Sequence, residues 1–444
     1  MKKYVIMEYI EIKRGSFMKK KTLVYDTFER PPVREWIILA LQHVFAMFGA
    51  TVLVPLLVNK AAGEEIMSVP IALICSGIGT LIYIICTKGK SPVYLGSSFA
   101  FISPIASVYL KEGISGFATG IISVGIVYIL CSLLVRWFGK EWLNKLLPPI
   151  IVGPMIMIIG LSLAPNAIEQ IGLSNGVVVW KSLVVAVTSF LVTALVAIYG
   201  RGFIKVVPFL IGIIVGYVLS IVFGMVDFSL VGKVSFFSLP KLLIPIKDYT
   251  FSLVGLLTMF PIAIVSIAEH IGDHMALSNI IGKNLISDPG LDKTLLGDGL
   301  ATFFAGLVGG PANTTYGENT SVVGMSKVAS VWVIGLAACI SILLAFLGKI
   351  TALFQTIPDE VLGGVSLLLY GFISVNGLKV LIENHVDFNK IRNVIIVSAM
   401  LILGLGGAII TIYTKNLSIS LTGISLSAVV GIFLNIILKE PNEE

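Results

Sequence analysis

Charge is scarce in this chain. Of its 444 residues only 13% are Asp, Glu, Lys or Arg, against 56% hydrophobic, and the mean hydropathy is +0.99. Soluble globular chains carry roughly 25% charged residues, so a water-soluble fold is excluded. Ten-residue stretches of alternating hydrophobicity are absent, which excludes an outer-membrane barrel. Cysteine is also scarce. Cys75, Cys86, Cys131 and Cys339 all lie in apolar stretches without metal-type spacing, and they read as small core residues rather than ligands. A cleavable signal peptide is lacking: the first 35 residues are basic and polar, and the first long apolar stretch, from about Trp36, is a full-length span. Met18, which opens MKKKTLVYD, offers an alternative start. No soluble domain is expected either, since the longest connection (about 224–251) is too short and too apolar to form one.

What the chain does have is long apolar runs of about 20 residues, the length that crosses a bilayer as a helix. They predict an all-α polytopic membrane protein with fourteen spans, roughly 36–58, 68–87, 92–109, 115–136, 147–164, 179–199, 204–223, 252–273, 293–309, 314–329, 331–349, 358–378, 391–412 and 420–438. With the N-terminus in the cytoplasm, the inner segments hold 23 of the 31 Lys and Arg residues. The outer loops keep only Lys60, Lys111, Lys181, Lys233, Lys241, Lys247, Lys349 and Lys415. That bias predicts both termini on the cytoplasmic side of the cell membrane. The net charge of +6 thus orients the chain in a lipid bilayer and does not bind nucleic acid.

Two features repeat. LPPIIVGPMIMIIG (147–160) resembles IPDEVLGGVSLLLYG (357–371): each opens a span with Pro (Pro148, Pro358) and places Gly five residues later (Gly153, Gly363). These are the fifth members of two seven-span sets, and an odd number of spans per set forces opposite orientations, giving two inverted repeats. The third span, PVYLGSSFAFISP (92–104), and the approach to the tenth, GGPANTTYGENTSVVG (309–324), are both interrupted by small polar residues. Both predict an extended chain followed by a half-helix, tolerated at membrane depth only inside protein or beside a cavity. Half-helix N-termini present free N–H groups to a ligand, and broken spans in matching positions point to a transport site.

Two glutamates lie in these apolar surroundings, Glu269 in PIAIVSIAEHIGDH and Glu318 in GGPANTTYGENTSVVG. A charge near the bilayer centre costs roughly 3 kcal/mol on insertion scales, so such groups face a cavity or a partner. Glu269 has a plain alternative, a helix-end carboxylate reaching the cytoplasmic interface with Asp273 and His274. Yet Glu269 and Asp273 are i, i+4 neighbours on one face, and two such carboxylates tend to hold a proton between them, as a proton-coupled carrier needs. Glu318 either complements the dipole of the tenth half-helix or accepts two adjacent N–H groups of a flat heterocycle. His43, in LQHVFAMFGATVLVP, reads first as a packing group with Gln42 as its partner. The nearby Gly49, Ala50 and Thr51 permit close approach of a ligand or of the third span. Phe45, Phe48, Phe99 and Tyr316 are candidates to stack on a planar ring, although aromatics in membrane helices are usually packing.

LQHVFAMFGATVLVP, YLGSSFAFISP, AEHIGDH, GGPANTTYGEN and GGVSLLLYG, in this order, resemble the nucleobase–ascorbate transporter (nucleobase–cation symporter 2) family, and within it the bacterial uracil permeases. The resemblance runs over the chain after about Glu29. It implies a cytoplasmic segment (1–35), a core domain built from 36–137 and 252–349 (spans 1–4 and 8–11), and a gate domain built from 147–223 and 358–438 (spans 5–7 and 12–14). The gate domain often makes a homodimer in that family. Uracil would lie between the broken third and tenth spans, held by Glu269 and Glu318. Backbone N–H contacts would come from Phe99 and Gly317, and Tyr316 and Ala50 would line the site. Proton coupling would run through Glu269, with Asp273 or His274, and no cofactor or metal is implied. The chain departs from the family pattern at Asp273–His274, where some relatives have histidine four residues after the first glutamate. Ser321, Ser326 and Lys327 also stand where Gly, Thr and Arg are common. Purine and ascorbate members often carry Gln at the Glu318 position, so the carboxylate leans towards uracil. The reading is a proton-coupled uracil importer, not an enzyme. Its alternatives are a purine carrier of the same fold and an anion exchanger or channel, whose site would want half-helix ends without carboxylates. An intramembrane enzyme is disfavoured, since Asp298, the other deep carboxylate, lacks a second aspartate.

Overall fold

The computed structural model describes residues 23–438 apart from 175, 177–178, 202–203, 205–206, 241–248, 415–416 and 422. Met18, the basic residues before 23, and Lys241, Lys247 and Lys415 lie outside the described residues. Helix ends follow the caps that the sequence supplies. α1 (Val33–Ala62) starts directly after Pro32 and stops at Gly63, whose φ of 77° suits glycine. α2 (Val69–Cys86) starts at Ser68, whose side chain accepts from the Ile71 N–H. The chain then extends as β1 (Leu95–Ser97), tightens into a 3-10 turn (Phe99–Phe101) and continues as α3 (Ile102–Phe138), broken at Gly113. α4 (Glu141–Leu146), α5 (Pro149–Ser162), α6 (Ala164–Gln170), α7 (Trp180–Tyr199), α8 (Pro208–Val222) and α9 (Ser229–Lys233) follow. α10 (Leu253–Ile281) leads through a turn at Ile286–Gly290 into α11 (Leu291–Val308), β2 (Asn313–Thr315) and α12 (Gly317–Ser326). The chain closes with α13 (Val331–Leu344), α14 (Gly348–Gln355), α15 (Asp359–Glu383), α16 (Ile391–Leu405), β3 (Ile410–Thr414), β4 (Leu417–Leu421) and α17 (Gly423–Ile437).

Among the described residues, seven helical segments are long and apolar enough to cross a membrane, and α8, α13, α16 and α17 are shorter but also apolar. The chain is a mostly helical integral membrane protein. Three expectations need correction. The fold is not purely helical, because β1 pairs antiparallel with β2 and β3 with β4. The second ribbon replaces the end of the span expected over 391–412: the helix stops at Leu405 before Gly406 and Gly407, and ITIYT and LSISL alternate with the period of a strand. Cys339, expected in the core, is exposed on α13, whereas Cys75 and Cys131 are buried.

The helices pack as two sets. α1, α2, α3, α10, α11 and α13 pack on one another, and so do α5, α7, α8, α15, α16 and α17. The sets meet where α10 lies against α5 and α17 and where α1 lies against α8. Small residues bring backbones close inside each set, as they do between membrane helices generally. A Cβ at Gly125 of α3 would stand 2.5 Å from the Phe303 nitrogen of α11, and one at Gly160 of α5 would stand 2.3 Å from the Tyr370 carbonyl of α15.

Candidate substrate site

The two interrupted segments cross each other. β1 and β2 pair as Leu95 with Thr315, Gly96 with Thr314 and Ser97 with Asn313. Extended backbone buried among helices needs partners, and neighbouring side chains provide them. Ser76 Oγ donates to the Leu95 carbonyl (2.7 Å), the Leu95 N–H donates to Thr80 Oγ1 (2.9 Å), and the Asn313 N–H donates to Thr302 Oγ1 (3.1 Å). The Tyr316 ring closes over Gly96, where a Cβ would stand 2.3 Å from it, and its hydroxyl donates to the Ser97 carbonyl (3.1 Å). From this crossing the 3-10 turn that opens α3 and the helix α12 both start without a side-chain cap. Of their first N–H groups, that of Glu318 meets its own carboxylate, and those without a partner are left to whatever lies beside them.

Three acidic side chains come to this crossing. α10 runs on to Ile281, twelve residues beyond Glu269, or about 18 Å of helix. The span expected to end at 273 is thus longer, and Glu269 sits mid-helix rather than at an interfacial helix end. The continuation is held by buried Leu277 and Ile281 and capped by Gly282. Glu269 Oε2 is buried without a hydrogen-bond partner, as is Thr314 Oγ1 of β2. Asp273, Glu318 and Asp298 are all within electrostatic reach of Glu269. Asp273 accepts from Thr315 Oγ1 at 2.5 Å. Glu318 lies in the first turn of α12. It borders a narrow gap whose other walls include Ala46, Gly49 and Ala50 of α1 and Phe209, Leu362 and Leu369 of α8 and α15. The gap therefore lies between the two helix sets. The centre of a water molecule can move through only about 10 Å³ of it.

The remaining predicted residues take distinct places. Gly317 stands beside open space, with nothing within 4 Å of a Cβ added there. Phe99 is buried and meets Tyr370 of α15 edge-on, with ring centroids 6.2 Å apart. Neither Phe99 nor Tyr316 borders the gap beside Glu318, and Thr51 Oγ1 donates to the Tyr316 hydroxyl (3.1 Å). Phe48 packs on Phe354. His274 lies on another face of α10 from Asp273. Its Nδ1 bonds the His270 carbonyl (2.7 Å) and its Nε2 bonds the Tyr83 hydroxyl (2.5 Å).

Two pairings escaped the sequence reading. His43 is partnered by Asn319, not by Gln42: Asn319 Nδ2 lies 3.1 Å from both His43 Nδ1 and the His43 carbonyl, tying the first turns of α12 to α1. His270 Nδ1 bonds Asp298 Oδ2 at 2.9 Å, both fully buried. The i, i+4 spacing of His270 and His274 was visible, but no local signal joins residue 270 to residue 298.

A chamber of about 700 Å³ opens at one end of the molecule, between Lys140, Asn144 and Val152 on one side and Gly272, Asn279 and Lys283 on the other. It reaches α10 at Gly272, next to Asp273. At the other end, Lys60 Nζ meets Asp359 Oδ2 at 2.8 Å and Gln355 Nε2 donates to Glu65 Oε1 at 3.1 Å, joining the end of α1 and its following loop to the start of α15 and the end of α14.

The model of the Permease family matches residues 34–413. The uracil permease of Bacillus subtilis (strain 168) is 44% identical over 434 residues, which cover 96% of this chain and 98% of that protein. The uracil permease of Escherichia coli (strain K12) is 43% identical over 93% of both chains, and the putative pyrimidine permease RutG of the same organism is 36% identical over 93% of this chain and 91% of its own. Among solved structures, SLC26A9 matches with a TM-score of 0.66 at 13% identity, covering 92% of this chain and 66% of that one. The transmembrane domain of the cyanobacterial bicarbonate transporter BicA matches with a TM-score of 0.56 at 17% identity, covering 93% of this chain and 100% of that one. At such low identity the likeness establishes the shared fold.

Proposed function

This chain belongs to the Permease family, among the nucleobase–ascorbate transporters, and from that premise we propose that it is a proton-coupled uracil importer of the cell membrane. It is a transporter rather than an enzyme. The observation that carries the substrate assignment is Glu318 at the uncapped start of α12, bordering with Ala50 of α1 the seam towards α8 and α15. A carboxylate accepts a ring N–H while other backbone N–H groups of the same turn meet the carbonyl oxygens beside it. Uracil carries both kinds of group on one flat edge. The names of the relatives, uracil permease in B. subtilis and E. coli, support the same substrate.

In this reading the chain has fourteen spans in two inverted repeats, with both termini in the cytoplasm. The antiparallel crossing of β1 and β2 and the proline-opened α5 and α15 support the inversion. The first helix set is the core domain that carries the site. The second is the gate domain, which is also the face for a homodimer. The chamber at Lys140 and Lys283 is the cytoplasmic vestibule, and the seam at Lys60 and Asp359 closes the outer side. Because the gap beside Glu318 barely admits water, the domains must shift for a base to enter or leave. Glu269 is the proton-linked carboxylate and Asp273 its companion. His274, turned towards Tyr83, takes part only by relay through α10.

An anion exchanger, the second reading, has the fold likeness in its favour, but Glu269 and Glu318 would repel an anion at this crossing. Binding of labelled uracil to the purified protein, competed with xanthine, hypoxanthine and bicarbonate, tests the assignment. Competition by unlabelled uracil alone is expected, whereas displacement by xanthine at equal concentration would move the assignment to the purine alternative.

A further inference from the structure

The segment before α1 forms a strap across the C-terminal ends of the two elements that carry the glutamates. The Val24 N–H donates to the Lys327 carbonyl (2.8 Å), the Ala329 N–H to the Tyr25 carbonyl (2.9 Å) and the Val331 N–H to the Thr27 carbonyl (3.0 Å), so the strap pairs with the loop between α12 and α13 as a short parallel bridge. Ser330 Oγ donates to the Glu29 carbonyl (2.5 Å) and Trp332 Nε1 to the Phe28 carbonyl (3.2 Å). On its other side, Lys283, just past the cap of α10, donates to Asp26 Oδ1 (2.5 Å) and Thr27 Oγ1 (3.1 Å). Thr27 is buried, at 1% exposure.

α12 has need of such a fixture. It is ten residues long, has no side-chain N-cap, and ends at Lys327 in the left-handed region (φ 59°), a conformation that disfavours a non-glycine residue. Helices this short are not stable on their own. Its first turn is tied to α1 through Asn319 and His43, and its last turn is tied to the strap through the Lys327 carbonyl. We propose that residues 24–29 are a positioning element of the substrate site, fixing α12, and with it Glu318, relative to Glu269 on α10. This inference rests on the uracil reading above only for its ligand.

The test compares the intact chain with two sets of variants. Val24→Pro with Asp26→Asn removes the N–H that caps Lys327 and the charge that holds Lys283. Asp26→Lys and Lys283→Asp each break the ion pair, and together they restore it with reversed polarity. Two readings are taken: uracil affinity per active site, and hydrogen exchange resolved over 317–326, 253–281 and 359–383. The expected result is a uracil Kd raised about tenfold in the Val24→Pro, Asp26→Asn variant, with faster exchange in 317–326 and unchanged exchange in 359–383. The two charge variants should weaken binding severalfold and their combination should recover it. Unchanged affinity in both sets would overturn the proposal, as would faster exchange spread evenly over all three segments, which marks a general stabilising role. If the intact chain itself fails to bind uracil, the substrate reading falls. The strap is then still decided by the exchange pattern: acceleration confined to 23–30 overturns it, and selective acceleration of 317–326 upholds it.

Discussion

At the scale of single residues, the proposed site would divide its work between two carboxylates in different surroundings. Glu318 borders the seam between the helix sets, and Glu318→Gln replaces one acceptor oxygen by a donor in a confined site. A buried mismatch of this kind costs about 1–3 kcal/mol, more with a charged partner, so uracil affinity should fall roughly tenfold or more. Equilibrium binding checks it, and an unchanged Kd would remove Glu318 from the site. Glu269, with a buried oxygen that lacks a hydrogen-bond partner and Thr314 within reach, has a lone pair free to take the proton in the proposed coupling. Glu269→Gln should keep uracil counterflow and lose accumulation driven by a pH gradient, because binding and protonation are linked through one group. If Asp273→Asn alone removes the pH dependence, the two acids exchange roles. Steric probes complete the set. Gly317 adjoins open space and Ala50 borders the seam, so Gly317→Val and Ala50→Leu should abolish binding while the protein still elutes as a folded species. Normal binding by both would put the pocket elsewhere.

At the scale of elements, the crossing of β1 and β2 joins the two interrupted spans where the site is proposed. Gly96 is required there because Tyr316 lies across it. Gly96→Val should lower the thermal midpoint by several degrees and reduce binding, and a wild-type melting curve would contradict the role given to the crossing. The strap at the other end of α12 should hold across the pH range of uptake. The Lys283 hydrogen bond keeps the Asp26 carboxyl below its usual range, so its contribution is present above the ordinary carboxylate pKa and is lost only as pH falls through the lowered value. Between pH 5 and 8 any pH dependence of transport therefore arises elsewhere. Much of this was legible in the chain. Small polar residues in the third and tenth segments exposed the two breaks, and the isolation of Glu269 and Glu318 among apolar residues exposed the acids. The ends of α10 and α16 were misread, since a helix can continue past the apolar stretch and a strand can hide in an apolar tail. The pairings of His43 with Asn319 and of His270 with Asp298 join residues hundreds or tens of positions apart, and only packing specifies them.

For the whole molecule, the proposed transport cycle moves the two helix sets against each other around the crossing. The chamber at Lys140 and Lys283 is open, whereas Lys60 and Asp359 join the sets at the opposite end. Exposed ion pairs contribute only about 0–1 kcal/mol, so this seam can part readily during transport. Lys60→Cys combined with Asp359→Cys should be bridged by a bifunctional methanethiosulfonate reagent that spans the former ion pair, which should stop uptake, and reduction should restore it. Continued transport by the crosslinked protein would mean that this seam does not open. The central claim, that the chain concentrates uracil at the expense of a proton gradient, is tested most directly with labelled uracil in vesicles containing the purified protein. An inward proton gradient should drive uracil above its external concentration, and a protonophore should collapse the accumulation to equilibrium. Equal uptake with and without the gradient, or none above protein-free vesicles, would contradict it.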